Sequence, residues 1–472
     1  MRGLLKNGIL SLVAALVLQS CGAGGDARAD GCEGDAAADT LAECAERIVA
    51  GIALPSFGDN DVSVDSVTGS ARSVLQSAID SCAQMGGGRV TVMPGTYYID
   101  GSVTLRSGVE LHLESGATLL FSGRADDFLP TVFTRWEGTE LYGRSPMLYA
   151  LHAVDIAITG GGTIDAQGGR EFASFAEREG ADRDRLRAMG SSLTPLSERV
   201  FGQGTLLRPS CVQFIGCSRI LIEGVTIVNS PFWTIHPVYC DNVTVRGVTI
   251  DSHYPNNDGC DPESTSNVLI EDCTFRTGDD AVAIKAGRDA DGRAVGRPST
   301  NIVIRRCRFQ SECNGLCIGS EMSGGVANVY MDSIEIGTVK NAIYFKSNRD
   351  RGGYIRDVYV RDVTVERALG AVLRFETNYF GYRGGNSPAL YEHFRITNVR
   401  AESADGYAAF IDGYEEQPVR DIVIDNFTVR HAARPYYLRC TEDVVFNNVT
   451  VNGEALPEEP EESVERQTLD VY

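Results

Sequence analysis

Short runs in which apolar and polar residues alternate recur down most of the chain. They include SRILIEGVTI from Ser218, DNVTVRGVTI from Asp241, SNVLIEDCTF from Ser266, TNIVIRRCRF from Thr300, ANVYMDSIEI from Ala327 and RDVYVRDVTV from Arg356. HFRITNVRA from His393, RDIVIDNFTV from Arg420 and EDVVFNNVTV from Glu442 continue the series, and VELHLESGATL and VDIAITGGGTI precede it. Each unit reads as two short strands joined at a turn of Gly, Asn, Asp or Arg, repeated at intervals of roughly 20 to 40 residues, the spacing of a solenoid. One unit cannot bury its apolar face alone, whereas stacked units bury a continuous ladder of Ile and Val. The pattern predicts an all-β fold, a parallel β-helix over residues 51–456. Cys273 and Cys307 hold equivalent positions in successive units and are expected in its core.

Two segments interrupt the series. Residues 165–209 carry a charged run, REFASFAEREGADRDRLRAMG, too polar for a rung and expected as a loop or helix over the rim of a cleft. Residues 376–392, ETNYFGYRGGNSPALYE, are rich in Tyr, Gly and Asn, and aromatic, flexible inserts at one edge of a solenoid build binding faces. Ahead of the repeats, Val74, Leu75, Ala78, Ile79 and Cys82 follow a helical period over 71–84, and Gly86-Gly87-Gly88 ends that helix before the alternating run RVTVMPGTYYI. This stretch resembles the N-terminal capping helix of the pectate-lyase-like β-helix superfamily, which covers the open end of the apolar core. The tail, residues 457–472, is acidic and expected to be loose or lightly packed.

A net charge of −21 and a pI near 4.8 exclude a nucleic-acid partner, which calls for a basic face. Arg supplies nearly all positive charge; after Lys6 the chain holds only Lys285, Lys340 and Lys346. An anionic substrate must therefore be met by local cations set in a repelling surface, and its binding should weaken with salt. Arg2 and Lys6 precede an apolar run over 9–18, too short to span a bilayer and shaped as a signal peptide. Leu18-Gln19-Ser20-Cys21 resembles a bacterial lipobox, which makes residues 1–21 a lipoprotein leader, Cys21 the lipidated residue and 22–50 a tether, with a short helix over 40–49 compatible with it. The chain is then expected at the bacterial cell envelope, in the periplasm or on the outer-membrane surface, as a monomer. The alternative is soluble secretion with cleavage after Ala27-Arg28-Ala29. Disulfides are permitted there, and Cys32 with Cys44, Cys211 with Cys217 and Cys313 with Cys317 are local candidates. Cys313-x-x-x-Cys317 has no second ligand pair at a matching spacing, so neither zinc nor any other metal or cofactor is expected.

The chemistry concentrates in residues 254–287, YPNNDGCDPESTSNVLIEDCTFRTGDDAVAIKAG. Asp258 and the pair Asp279 and Asp280 flank a strand run at 267–275, and stacked coils would bring all three to one patch. Like charges at close range push their pKa values apart, leaving one acid protonated and another ionised. Strand alternation places Ala281, Ala283 and Lys285 on one outward face with Asp279, and Val282 and Ile284 inward, so a floor of alanines leaves room for a sugar ring. The alternative for Gly278-Asp279-Asp280 is a solvated turn. His236, in PFWTIHP, either lines the cleft or makes a structural hydrogen bond at a coil turn.

Read together, LRPSCVQFIGCSRILIEGVTIVNSPFWTIHP, Asn256-Asn257-Asp258-Gly259, Gly278-Asp279-Asp280, Ile318-Gly319-Ser320-Glu321 and Lys346-Ser347-Asn348-Arg349-Asp350-Arg351-Gly352-Gly353 resemble glycoside hydrolase family 28, the polygalacturonase family. The resemblance implies a right-handed parallel β-helix that hydrolyses α-linked galacturonic acid in pectin-type poly- or oligosaccharides with inversion. It makes Asp279 the general acid, has Asp258 and Asp280 hold and deprotonate the water, and has Asn256 position it. Inversion calls for acid and base about 6.5–9.5 Å apart. Two departures accompany it. The family's Gly-His-Gly is here Cys313-Asn314-Gly315, so Asn314 can hydrogen-bond but cannot relay a proton. The family's Arg-x-Lys, which grips the sugar carboxylate, is here Tyr344-Phe345-Lys346, and a lone Lys lacks the bidentate fork; Arg349, Arg351 and Arg374 are substitutes. These changes point to an exo-acting enzyme, or to one that removes galacturonic acid from rhamnogalacturonan oligosaccharides. A β-helix lyase, an epimerase and a non-hydrolytic glycan-binding protein remain rival readings.

Overall fold

The computed structural model describes residues 38–463. The leader with its lipobox Cys21, most of the tether, Cys32 and the end of the tail lie outside the described residues. The chain winds as a parallel β-helix, right-handed as parallel crossovers are. Its rungs stack in register, with shifts at Val339/Asn341 and Ala404/Tyr407. Ile156, Ile220, Val243, Val268, Ile302, Val329 and Val358 form one inward column, all buried. The bend beside this column is made by Asp155, Arg219, Asn242, Asn267, Asn301 and Asn328, with φ between 52° and 59°. Asn and Asp tolerate this left-handed conformation because their short polar side chains bond locally. Here they also bond along the stack: Asn267 Nδ2 donates to Oδ1 of Asp241, the residue before Asn242, at 2.7 Å, Asn301 to Asn267 at 2.9 Å and Asn328 to Asn301 at 2.6 Å. The turn residues read inside the repeats, such as Gly247, Asp272 and Arg306, form another corner of the coil, with φ between 52° and 60°.

Helix α1 (Ala38–Gly51) occupies much of the expected tether's end and lies on the outer wall. Leu41, Cys44, Ala45 and Ile48 form one helical stripe and pack on Leu269, Val303, Tyr330 and Tyr359, which occupy one outward position on four successive rungs. Cys44 is disulfide-bonded. Helix α2 (Arg72–Gln84) caps the core with Leu75, Ala78, Ile79 and Cys82. Val74, expected on the same face, is 43% exposed because it falls on the solvent flank of the helix. At the other end the tail is tied down as far as it is described: Phe446 N donates to Glu458 O at 2.9 Å and Ser463 N to Leu438 O at 2.8 Å.

Two of the expected disulfides are absent. Cys211, Cys217, Cys313 and Cys317 are free thiols. The strand Val212–Ile215 separates Cys211 from Cys217, and Cys317 lies in the strand Asn314–Ile318 that follows Cys313; four extended residues span roughly 13 Å, beyond disulfide reach. The Cys217 sulfur instead accepts from Ala153 N at 3.3 Å and donates to Ile215 O at 3.4 Å, and Cys273 and Cys307 are buried thiols, as their repeat positions predict. Alkylation of the unfolded, unreduced protein is therefore expected to label Cys211, Cys217, Cys313 and Cys317 in full; unlabelled peptides at either pair would contradict this.

Both inserts fold over one side of the coil. Residues 165–209 contain α3 (Glu171–Ala176) and α4 (Gly180–Ser191); Leu186 of α4 is buried against a cluster that includes Trp136, Phe201, Phe232 and Trp233. The second insert is joined to α4 by Arg383, whose Nη2 donates to Arg187 O at 3.1 Å and Ser191 Oγ at 2.5 Å. Helix α5 (Asp289–Val295) completes the rim.

Candidate active site

A cavity of about 360 Å³ opens between the coil and these inserts, at the small end of the range for ligand pockets. Asp258, Asp279 and Asp280 all line it, with Asn256, Lys285 and Lys346. The three acids therefore meet as expected, and the Gly278-Asp279-Asp280 segment is more than a solvated turn. Strict alternation fails at one point. The strand begins only at Val282 (Val282–Ile284), and both Ala281 and Val282 enter the core, so Asp279 and Asp280 can both face the cavity. Nor is there an alanine floor: Ala283 is covered by Cys317 and Tyr344.

The side chains around Asp280 fix its charge. Lys346 Nζ donates to Asp280 Oδ2 at 2.6 Å and Asn314 Nδ2 to Asp280 Oδ1 at 2.6 Å. Asn314 is itself held, its Oδ1 accepting from Asn341 Nδ2 at 2.8 Å. Burial alone would raise the Asp280 pKa, but the Lys346 and Lys285 ammoniums outweigh it and hold the carboxyl below the ordinary 3.8. Asp279 goes the other way: burial, then the neighbouring Asp280 charge, raises it. Adjacent acids pushed apart in this manner make an acid and base pair. Their nearest oxygens lie within 4.8 Å of each other and of the Cys313 sulfur, short of the expected 6.5–9.5 Å. A water between this acid and this base therefore does not lie on a straight line joining them.

Asp258, expected to share the handling of the water, lies on the same wall. Burial, followed by the charges of Asp261 and Asp279, pushes its carboxyl well above 3.8, which favours the protonated form that can donate a hydrogen bond. Asp261, fully buried behind it, is raised by burial in the same way. Lys285 Nζ serves both, 3.6 Å from Asp258 and 3.7 Å from Asp261, and also lies 3.4 Å from Glu321 and 4.2 Å above the Trp233 ring. Burial would raise Glu321, but Arg288, Lys285 and Arg351 hold it well below its ordinary range.

Other expected contacts fall elsewhere. Asn314 does not line the cavity; it orients Asp280. Tyr344 is buried beneath Lys346, 5.4 Å from ring centre to Nζ, and its hydroxyl donates to Glu376. Arg349 turns away to Glu416 and the Tyr414 ring, and Arg374 to Glu376 and the Tyr344 ring. Of the substitutes only Arg351 reaches the cavity, already paired with Asp289. Asn256 lines the cavity and accepts from Arg208 Nη2 at 2.7 Å. Arg208, Trp233, Glu321 and Tyr379 stand in stretches already singled out by their motifs or aromatic content; Arg183, Arg187 and Phe380 come from the inserts, where only polarity and aromaticity signal them.

His236 takes its structural alternative. It is fully buried and absent from the cavity wall. Burial keeps its pKa below the ordinary value, and the neutral ring accepts from Gln213 Nε2 at 2.7 Å and donates to Glu263 Oε2 at 2.8 Å. It also supports Trp233 edge-on at 4.7 Å. His236→Ala is expected to cost about 2–4 kcal/mol of stability through a cavity and an unsatisfied carboxylate. A variant that unfolds like the wild type but binds substrate poorly would place His236 in the cleft instead.

A family model described as Glycosyl hydrolases family 28 matches residues 102–449. The chain belongs to glycosyl hydrolases family 28. Among the relatives of this family 28 chain, a probable polygalacturonase of Vitis vinifera is 31% identical over 375 residues, 76% of this chain and 71% of that one. The structure of an exopolygalacturonase from Thermotoga maritima is 36% identical, with a TM-score of 0.83 over 89% of this chain and 97% of that one. A family 28 exopolygalacturonase of Yersinia enterocolitica, at 21% identity, TM-score 0.66 and coverage of 84% and 75%, shares the fold.

Proposed function

We propose that this family 28 glycosidase removes galacturonic acid from the ends of pectic poly- or oligosaccharides with inversion. The observation that carries the reading is Asp280, fixed by Lys346 and Asn314 and held below 3.8, beside Asp279, whose carboxyl is raised above 3.8, in one small cavity. Asp279 protonates the leaving oxygen, Asp280 takes the proton of the attacking water, and Asp258 donates a hydrogen bond to orient it. Inversion is supported by membership of the family. Exo action is supported by the two inserts that narrow the cleft to a cavity and by the likeness to the Thermotoga maritima exopolygalacturonase. Removal of galacturonic acid from rhamnogalacturonan oligosaccharides uses the same acids and differs only in the neighbouring sugar. The lipobox at Cys21 supports attachment of a monomer to the cell envelope; incorporation of radiolabelled palmitate that is lost in Cys21→Ser tests it.

The test of exo action is the course of polygalacturonate digestion. Galacturonate monomer is expected from the earliest time points while viscosity falls slowly. A rapid fall in viscosity with oligomers as first products would overturn it.

A further inference from the structure

The family's carboxylate-gripping Arg is a Tyr in this chain, and nearly every cation on the cavity wall already has a buried acid. Lys346 is bound to Asp280 and Lys285 is shared among Asp258, Asp261 and Glu321. Arg288 lies 2.5 Å from Glu321, Arg187 lies 2.5 Å from Glu137, and Arg351 pairs with Asp289. Arg183 on α4 differs. Its Nε is 3.5 Å from Asp184, the next residue in sequence, and the two side chains are 38% and 69% exposed. A surface pair of this kind holds its partner weakly, so the guanidinium can exchange Asp184 for a carboxylate inside the cavity that it lines.

We propose that Arg183 is the specificity-determining residue that reads the carboxylate of the uronic acid, taking over from the missing Arg of the Tyr344-Phe345-Lys346 triplet. This rests on the galacturonate reading above and adds the residue responsible for it. The planar guanidinium supplies the bidentate fork that Lys346 lacks. Its placement is rigid. Leu186 anchors α4 in the aromatic cluster, Asp182 accepts from Leu206 N at 2.8 Å, and Arg383 clamps the helix from the other insert. The polar insert thus supplies a recognition group as well as a wall.

The test compares trigalacturonate with its methyl ester, which keeps the sugars and removes the charge. The wild type is expected to favour the acid, and Arg183→Gln to lose about tenfold or more in kcat/KM on the acid, chiefly through KM, with the ester unaffected. Arg183→Lys should recover part of the loss, and the salt dependence of KM on the acid should flatten in Arg183→Gln. Equal losses on acid and ester, or no change on either, would overturn the assignment while leaving the hydrolase reading intact. Hydrolysis of neither substrate by the wild type would overturn both.

Discussion

Asp279→Asn is expected to lower kcat on oligogalacturonate by about 10²–10⁴-fold, the contribution of a positioned general acid, with its fold unchanged. The backbone carbonyl of Asp279 accepts from Thr277 Oγ1 and Ser311 Oγ, both at 2.6 Å, whatever its side chain. The bond from Asp280 N to Oδ1 at 2.9 Å survives in the amide. The variant lacks only the proton. A galacturonide with a leaving group that needs no protonation should therefore retain most of its rate, and equal loss on both substrates would contradict the assignment. The pH profile carries the same signature. Activity needs Asp280 ionised, with a pKa below 3.8, and Asp279 protonated, with a pKa above it. The wild-type profile is a bell whose limbs belong to the coupled pair, and Asp279→Asn should lose the alkaline limb.

Lys346→Met is expected to cost about 3–5 kcal/mol of stability at neutral pH, because Asp280 is left buried without its cation. The thioether fits the slot between the Tyr344 and Tyr379 rings, whose centres lie 5.4 and 5.5 Å from Nζ, so the effect is electrostatic. A carboxyl whose folded pKa is depressed contributes stability above its unfolded value, here 3.8, and loses it as pH falls through the folded value. The gap between wild type and variant should accordingly close in acid. The acid limb of kcat should also move to higher pH, since Asp280 no longer ionises so readily. Denaturant unfolding across pH checks the first and kinetics the second; a gap that stays constant with pH would show that Lys346 acts by packing alone.

The coil was legible because its physics is local. Period-two alternation and a left-handed turn residue recur in each rung, so Gly247, Asp272 and Arg306 announce themselves one unit at a time. The three acids were legible through their motifs. What escaped depends on contacts between distant segments. The partner of Asp280 is 66 residues away at Lys346, and no pattern in sequence shows that the expected substrate cation is already paired. Alternation misplaced Ala281 because the segment before Val282 is not a strand. The pairs Cys211 with Cys217 and Cys313 with Cys317 failed because closeness along an extended chain is separation in space. Helix α1 was read as tether because its seat, Leu269, Val303, Tyr330 and Tyr359, is assembled from four rungs.

The central claim is that Asp279 and Asp280 act as acid and base on an α-linked galacturonide, with water as nucleophile. Their oxygens stand within 4.8 Å, nearer than the usual inverting separation, so stereochemistry is the sharpest question to ask of them. Proton NMR of the first turnovers on trigalacturonate answers it. Release of β-galacturonate that then mutarotates is the predicted result, and α-galacturonate as the first product would contradict the account.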